Sequence, residues 1–202
     1  MSSLDRHFIL GYGSLINGES RAKTGETGRV WPVKLQGFER HWSVMSTEFG
    51  MSSVAVIPAA EKACNGVLVE VPHDQFPLFD ERERGYQRAV ITSAQLTPYH
   101  DDSLPEGIYW VYHTDEVTEP HHECPIALSY LDVILSGCLE HGDAFTQDFL
   151  TLTKGWAAPL LNDRRAPRYP RVQPELSTER LNVLLAPVTT LSIKELSVTY
   201  ES

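Results

Sequence analysis

One helical turn beyond a pair of phenylalanines lies a glutamate whose position suits acid–base chemistry. Phe76, Phe79 and Glu83 stand at i, i+3 and i+7, which is one face of a helix. If the rings point into a core, Glu83 points with them, and Glu81 and Arg82 face solvent. A carboxylate beside aromatic rings loses hydration, and its pKa rises toward neutrality. A general base or acid needs that preparation. The competing reading is structural. Asp80-Glu81-Arg82-Glu83-Arg84 is a charge run of the kind that covers a solvated helix face, and Glu83 paired with Arg88 would be a buried ion pair with a perturbed pKa of its own.

The second feature is Gly11-Tyr12-Gly13-Ser14-Leu15, directly after the apolar run Phe8-Ile9-Leu10. Successive backbone N–H groups in a glycine-containing turn form a concavity suited to a carboxylate or phosphate. The turn is not a P-loop, because no Gly-Lys-Ser/Thr follows, and it lacks the third glycine of a dinucleotide fingerprint. Nor is it a nucleophile elbow, since Ile16 stands where the last glycine belongs. The plain alternative is a turn that ends a strand.

Two other groupings compete. His113, His121, His122 and Cys124 suggest a metal, but their spacing fits no common zinc signature. Cys124 as a nucleophile at a helix N-terminus, with His121 or His122 near it, is a further option, because that position lowers a thiol pKa. His100-Asp101-Asp102 reads as a turn. The arm from Asn162 to Arg171 is the densest basic patch in the chain. It either closes over a pocket and contacts a substrate carboxylate, pairs with acidic surface, or holds a second subunit in a homodimer.

The elements that must position these residues are short strands early and helices late. Phe8-Ile9-Leu10, Val54 to Ile57, Val67 to Val71, Ala89 to Thr92 and Ile108 to Tyr112 read as strands. Pro32 and Gly37 break Val30 to Val44 into pieces, and Pro58 stops the strand before it. Residues 17–29 read as a loop. A short helix runs from about Asp74 to before Gly85. Pro125 marks the start of a helix in which Tyr130, Ile134 and Cys138 recur beside Leu131, Leu135 and Leu139, ending about Gly142. Asp143 caps a helix carrying Phe145, Phe149, Leu152 and Trp156. Ser177 to Leu185 forms a third, and the last 15 residues are strand-like.

The chain has 202 residues, 42% of them hydrophobic and 22% charged, enough for a core. Acidic residues outnumber basic ones 27 to 17; a duplex-binding protein carries the opposite excess, so nucleic acid is a poor partner. No apolar run is long enough for a membrane span or a signal peptide. Three cysteines do not make a disulfide framework. The expectation is a cytoplasmic protein.

Taken together, the strand running into Tyr12-Gly13-Ser14-Leu15, the Cys64-Asn65-Gly66-Val67 strand, and Asp80-x-x-Glu83 on a short helix followed by Tyr86 resemble the γ-glutamylcyclotransferase superfamily. The resemblance covers roughly residues 7–142. It implies an α+β fold, a small mixed β-barrel with short flanking helices over residues 1–142. Residues 143–202 would be a helical and irregular C-terminal extension packed on the same domain. By resemblance, Tyr12, Gly13, Ser14 and Leu15 form the loop that cradles the γ-glutamyl group, Glu83 is the catalytic glutamate, and Tyr109 and Tyr130 are pocket tyrosines. Leu15 after the serine is closer to the branch that degrades glutathione than to the branch with Asn there. The implied reaction is attack of a γ-glutamyl α-amine on its own γ-carbonyl, releasing 5-oxoproline and an amine or peptide. It acts on a small γ-glutamyl molecule and needs no metal or redox cofactor. The alternatives are a non-catalytic carboxylate-binding module on the same fold, and a γ-glutamyl hydrolase or acyltransferase.

Overall fold

A computed structural model describes residues 6–46, 48–101, 103–174, 176–189 and 194–195. Its centre is β1 (His7–Gly11), buried along nearly its whole length. The run Phe8-Ile9-Leu10 is continuous rather than alternating because both faces are covered. β1 pairs antiparallel with β3 (Met51–Val71) on one side. On the other it pairs parallel with β6 (Ile108–His113). β2 (Val30–Ser46) pairs with β3, and β4 (Gln87–Ile91) with β6.

The expected breaks in β2 and β3 do not occur. Pro32 stays within β2, where its carbonyl accepts the Tyr99 N–H at 3.0 Å. Gly37 has φ of +87° and sits where the register slips between Gln36 and Phe38. The irregularity is a bulge on the partner: Gly37 alone stands against four residues of β3, Ala59 to Lys62, and both strands continue. Phe38 lies opposite Pro58, so the same irregularity carries β3 past its own proline.

The sheet does not close into the expected barrel. Its path runs open, β4-β6-β1-β3-β2-β5, with β5 (Leu96–Pro98) at the far end. Consecutive strands β4 and β5 are joined by the turn at Ser93–Gln95, where Gln95 Oε1 accepts the Thr92 N–H at 3.0 Å, and they do not pair with each other. A connection this short reaches at most about 18 Å, so the sheet curls its two ends toward one another without joining them. The mixed α+β architecture otherwise stands.

Helices flank the sheet. α1 (Gly18–Ala22) falls inside the expected loop, capped by Asn17 Oδ1, which accepts the Ser20 N–H at 2.8 Å. α2 (Phe76–Arg82) follows a 3-10 turn at His73–Gln75. α3 (Leu128–Glu140) is buried along most of its length. It starts three residues later than Pro125 suggests, because Ile126 and Ala127 form β7, paired with β9 (Leu160–Asn162). α4 (Asp143–Leu152) buries Phe145 and Phe149, and β8 (Thr153–Lys154) joins β2. α5 (Thr178–Leu185) begins at Ser177, whose Oγ accepts the Arg180 N–H. β10 (Lys194–Glu195) pairs with β9; the rest of the strand-like tail beyond 189, and Asp102 of the expected turn, lie outside the described residues. Among the described residues, no helix is long and apolar enough to cross a membrane.

Candidate functional site

The end of α2 places Glu83. Phe76 and Phe79 are buried, as their spacing predicts, and the helix stops at Arg82. Glu83 is the C-cap, with its N–H on the Phe79 carbonyl at 2.9 Å. Its side chain is 17% exposed and lines a cavity of about 310 Å³, a volume at the small end of ligand sites. Burial raises the carboxyl pKa above its ordinary value, while the charges of Arg82 and Arg171 oppose that rise. Arg88 is not its partner, for Arg88 pairs with Asp80 at 2.8 Å.

Arg82 does not face solvent as the helical spacing suggests. Its side chain is only 8% exposed, with Nε 3.3 Å from Glu83 Oε1. Nη2 donates to Ser14 Oγ at 2.8 Å and to Tyr169 Oη at 3.3 Å, while Nη1 reaches Thr24 Oγ1 and the Ser20 carbonyl. The long stem lets the charged end turn back along the helix toward these acceptors. Glu81 is exposed and pairs with Arg84.

The glycine turn forms the opposite part of the wall. Ser14–Ile16 is a 3-10 turn entered through Gly13. A Cβ on Gly13 would stand 2.8 Å from Val54 and 3.1 Å from Tyr130 Oη, so only glycine lets the backbone lie this close to the cavity. At Gly66 a Cβ would stand 2.6 Å from the Gly11 carbonyl oxygen. This explains the glycine in the Cys64-to-Val67 strand.

Beneath the turn lies Arg40, fully buried. It donates to the Tyr12 carbonyl at 3.3 Å, to the Asn65 carbonyl at 2.6 Å and to Asn65 Oδ1 at 2.8 Å. It also donates to the Phe149 carbonyl at 3.1 Å and Thr153 Oγ1 at 2.7 Å, and it lies over the Phe149 ring. Burial lowers its pKa. These neutral acceptors tie the turn, β3, α4 and β8 to one guanidinium.

Tyrosines complete the enclosure. Tyr12, Tyr86, Tyr130 and Tyr169 all line the cavity. Burial pushes the Tyr12, Tyr86 and Tyr130 phenols up, Tyr86 to about 12, and the Glu83 charge adds to each. They therefore remain protonated donors at neutral pH. Tyr169 comes from the arginine-rich arm. Its ring lies 5.0 Å from that of Tyr130, and its hydroxyl donates to Ser14 Oγ at 3.1 Å. Arg171 lines the same cavity. Asp163 anchors the arm by accepting the Ser129 and Arg168 N–H groups, each at 2.8 Å. Arg164 binds Asp132 through two 2.7 Å contacts.

Of the residues expected at a site, the structure brings together Tyr12, Gly13, Ser14, Leu15, Glu83 and Tyr130. Tyr109 is elsewhere: it packs beside Phe8, and its hydroxyl donates to the Pro105 carbonyl. Sequence reasoning missed Arg40; Tyr169 and Arg171 lie in the arm for which closure over a pocket was one of the expected roles, and both line the cavity. His113 packs against Phe38, while His121 and Cys124 bridge across a turn. Burial raises the Cys124 thiol pKa, opposite to what a nucleophile requires. All three cysteines are free and buried. Among the described residues, no three His, Cys, Asp or Glu side chains are placed to hold a metal ion.

No family model matches the chain, and no curated protein sequence matches it. Solved structures do. A γ-glutamyl cyclotransferase superimposes over 90% of this chain and 99% of its own, with TM-score 0.58 and 13% identity. The fold is that of the γ-glutamyl cyclotransferase-like proteins. An uncharacterised protein from Homo sapiens matches 89% of this chain and 98% of its own, with TM-score 0.57 and 13% identity. YkqA from Bacillus subtilis matches 76% of this chain and 57% of its own, with TM-score 0.50 and 15% identity.

Proposed function

We propose that this protein is a γ-glutamyl cyclotransferase in which Glu83 is the general base and then the general acid. The observation that carries the reading is one shared cavity: the Glu83 carboxyl and the Tyr12–Leu15 turn line the same walls. A carboxylate with a raised pKa meets a backbone loop suited to a substrate carboxylate.

In the proposed reaction, Glu83 takes a proton from the substrate's α-ammonium, because the protonated amine cannot attack. The freed amine bonds to the γ-carbonyl carbon of the same molecule and closes a five-membered ring. The carbonyl oxygen takes up negative charge, stabilised by an N–H of the turn or a tyrosine hydroxyl. The oxyanion then collapses, the bond from carbon to the leaving nitrogen breaks, protonated Glu83 supplies the proton to that nitrogen, and the ring nitrogen gives up its second proton to the Glu83 carboxylate, leaving the neutral lactam. Both reacting groups belong to one ligand, so the cavity's main work is to fold it. Orientation of this kind can contribute about 7–11 kcal/mol.

The test is Glu83→Gln, which preserves shape and removes basicity. Incubated with γ-glutamyl dipeptides, wild-type protein yields 5-oxoproline and the free amino acid. The variant is expected to lose roughly 10²- to 10⁴-fold in kcat while melting cooperatively. Full turnover in a folded variant would remove Glu83 from the mechanism. Glutamate in place of 5-oxoproline would make the protein a hydrolase, and tight binding without turnover in wild type would make it a carboxylate receptor.

A further inference from the structure

The charged groups lining the cavity are Arg82, Arg84, Arg171, Glu48 and Glu83. Most have their bonds already assigned. Arg82 spends its donors on Ser14, Ser20, Thr24, Tyr169 and Glu83. Arg84 pairs with Glu81 at the surface. Arg171 differs. Its charge lowers the Glu83 pKa, so the two act on each other through space, yet among the described residues no carboxylate stands within ion-pair distance of it. An arginine carries five N–H donors in a planar fork that matches a carboxylate.

The arm is built to hold that donor set in place. β9 is paired in a sheet, Asp163 and Arg164 are tied to α3, and Arg168 reaches the Gly50 carbonyl at the β2–β3 hairpin. Tyr169 is bonded to Ser14, two residues before Arg171. This anchoring holds the arm's last cation at the cavity, where among the described residues it pairs with no carboxylate.

The two ends of the ligand can be assigned. The α-carboxylate sits one carbon from the amine that Glu83 must deprotonate. It therefore belongs with the backbone N–H groups of the Tyr12–Leu15 turn, beside Arg82, which contacts both Ser14 and Glu83. Arg171 remains for the far end, the half that leaves. Glu48, exposed on the same rim, would favour a cationic leaving half instead. It stands in open solvent, where charge is well screened, whereas Arg171 is half-buried.

We propose that Arg171 is a specificity residue, selecting γ-glutamyl compounds whose leaving amine carries a carboxylate over those whose leaving amine is neutral or cationic. The inference rests on the proposed cyclotransferase reaction.

Three substrates of similar length test it: γ-glutamylalanine, γ-glutamylpropylamide and γ-glutamylputrescine, with anionic, neutral and cationic leaving halves. kcat/KM for 5-oxoproline release is measured for wild type, Arg171→Gln and Arg171→Lys. Wild type is expected to prefer γ-glutamylalanine. In Arg171→Gln the preference for γ-glutamylalanine over γ-glutamylpropylamide should fall roughly 10- to 100-fold, the range of a charge-assisted hydrogen bond, mainly through KM. Arg171→Lys should recover part of it. Equal losses on all three substrates, or a wild-type preference for the neutral or cationic compound, overturn the assignment of Arg171 and leave the cyclotransferase reading intact. No 5-oxoproline from any of the three overturns the reaction itself and the inference with it. If Arg171→Gln melts well below wild type, Arg171→Met takes its place: a narrowed preference in a folded variant supports the proposal, and an unchanged preference refutes it.

Discussion

The Tyr169 hydroxyl donates to Ser14 Oγ at 3.1 Å, joining residues 155 positions apart in sequence. Arg82 donates to the same two oxygens, at 2.8 Å on Ser14 and 3.3 Å on Tyr169. Arm, glycine turn and the end of α2 therefore meet at one three-residue junction, and the glutamate beside it faces the cavity.

Removing one bond of that junction should loosen the turn without unfolding the protein. Tyr169→Phe is expected to raise KM for a γ-glutamyl dipeptide roughly 2- to 10-fold, matching about 0.5–1.5 kcal/mol for a hydrogen bond. Tyr109→Phe serves as the control: it loses a bond to Pro105, neither residue lines the cavity, and the change should lower stability while leaving KM within twofold. Equal kinetic effects from both would show that the Ser14 contact does not shape the site.

Glu83 should carry a pH-dependent stability cost. Burial raises its folded pKa above the unfolded value, so the carboxyl favours the fold below the unfolded pKa and loses that contribution as pH rises through the folded one. Glutamine does not titrate. Glu83→Gln is therefore expected to melt above wild type at pH 8, with the gap closing as pH falls toward ~4.3, the ordinary glutamate value. Thermal scans of both proteins across that range check the sign; a gap independent of pH would contradict it.

Arg40 should be irreplaceable for stability. Arg40→Met would strand acceptors on Tyr12, Asn65, Phe149 and Thr153. Each orphaned buried group costs roughly 1–3 kcal/mol, so a loss of at least ~3 kcal/mol is expected. Arg40→Lys should rescue little, since three donors on one nitrogen cannot span that spread of acceptors. Urea denaturation measures both; a lysine variant as stable as wild type would show that charge, not fork geometry, is what the site uses.

Gly137 is where α3 touches the chain just after the turn. A Cβ there would stand 2.6 Å from the Asn17 backbone nitrogen. Gly137→Ala should cost about 1–3 kcal/mol, the range for overpacking, and weaken substrate binding as Asn17 is displaced. Unchanged melting and KM would mean the helix has room to shift.

Local patterns were legible where neighbours in the chain decide the outcome. The apolar run ending in glycines became β1 and the turn, Phe76 and Phe79 went inward, and Ser177 capped α5. The candidate site was legible to the same extent: Glu83, the turn and Tyr130 share the cavity because each lies on an element whose buried side follows from its own spacing. The breakers were misleading. Pro32, Gly37 and Pro58 end isolated strands, but here a paired neighbour carries the chain past them. Arg82 was misleading for a related reason: helical phase orients a short stem, while a long one turns toward whatever acceptors tertiary packing supplies.

What the amino-acid order determined by itself is the acid, the turn and the strand and helix segments that carry them, since these depend on residues a few positions apart. Only the tertiary structure decided that the sheet stays open, that Arg40 sits beneath the turn, and that Tyr169 and Arg171 complete the cavity wall. Those outcomes depend on which distant surfaces bury one another, and no periodicity within a single segment records that.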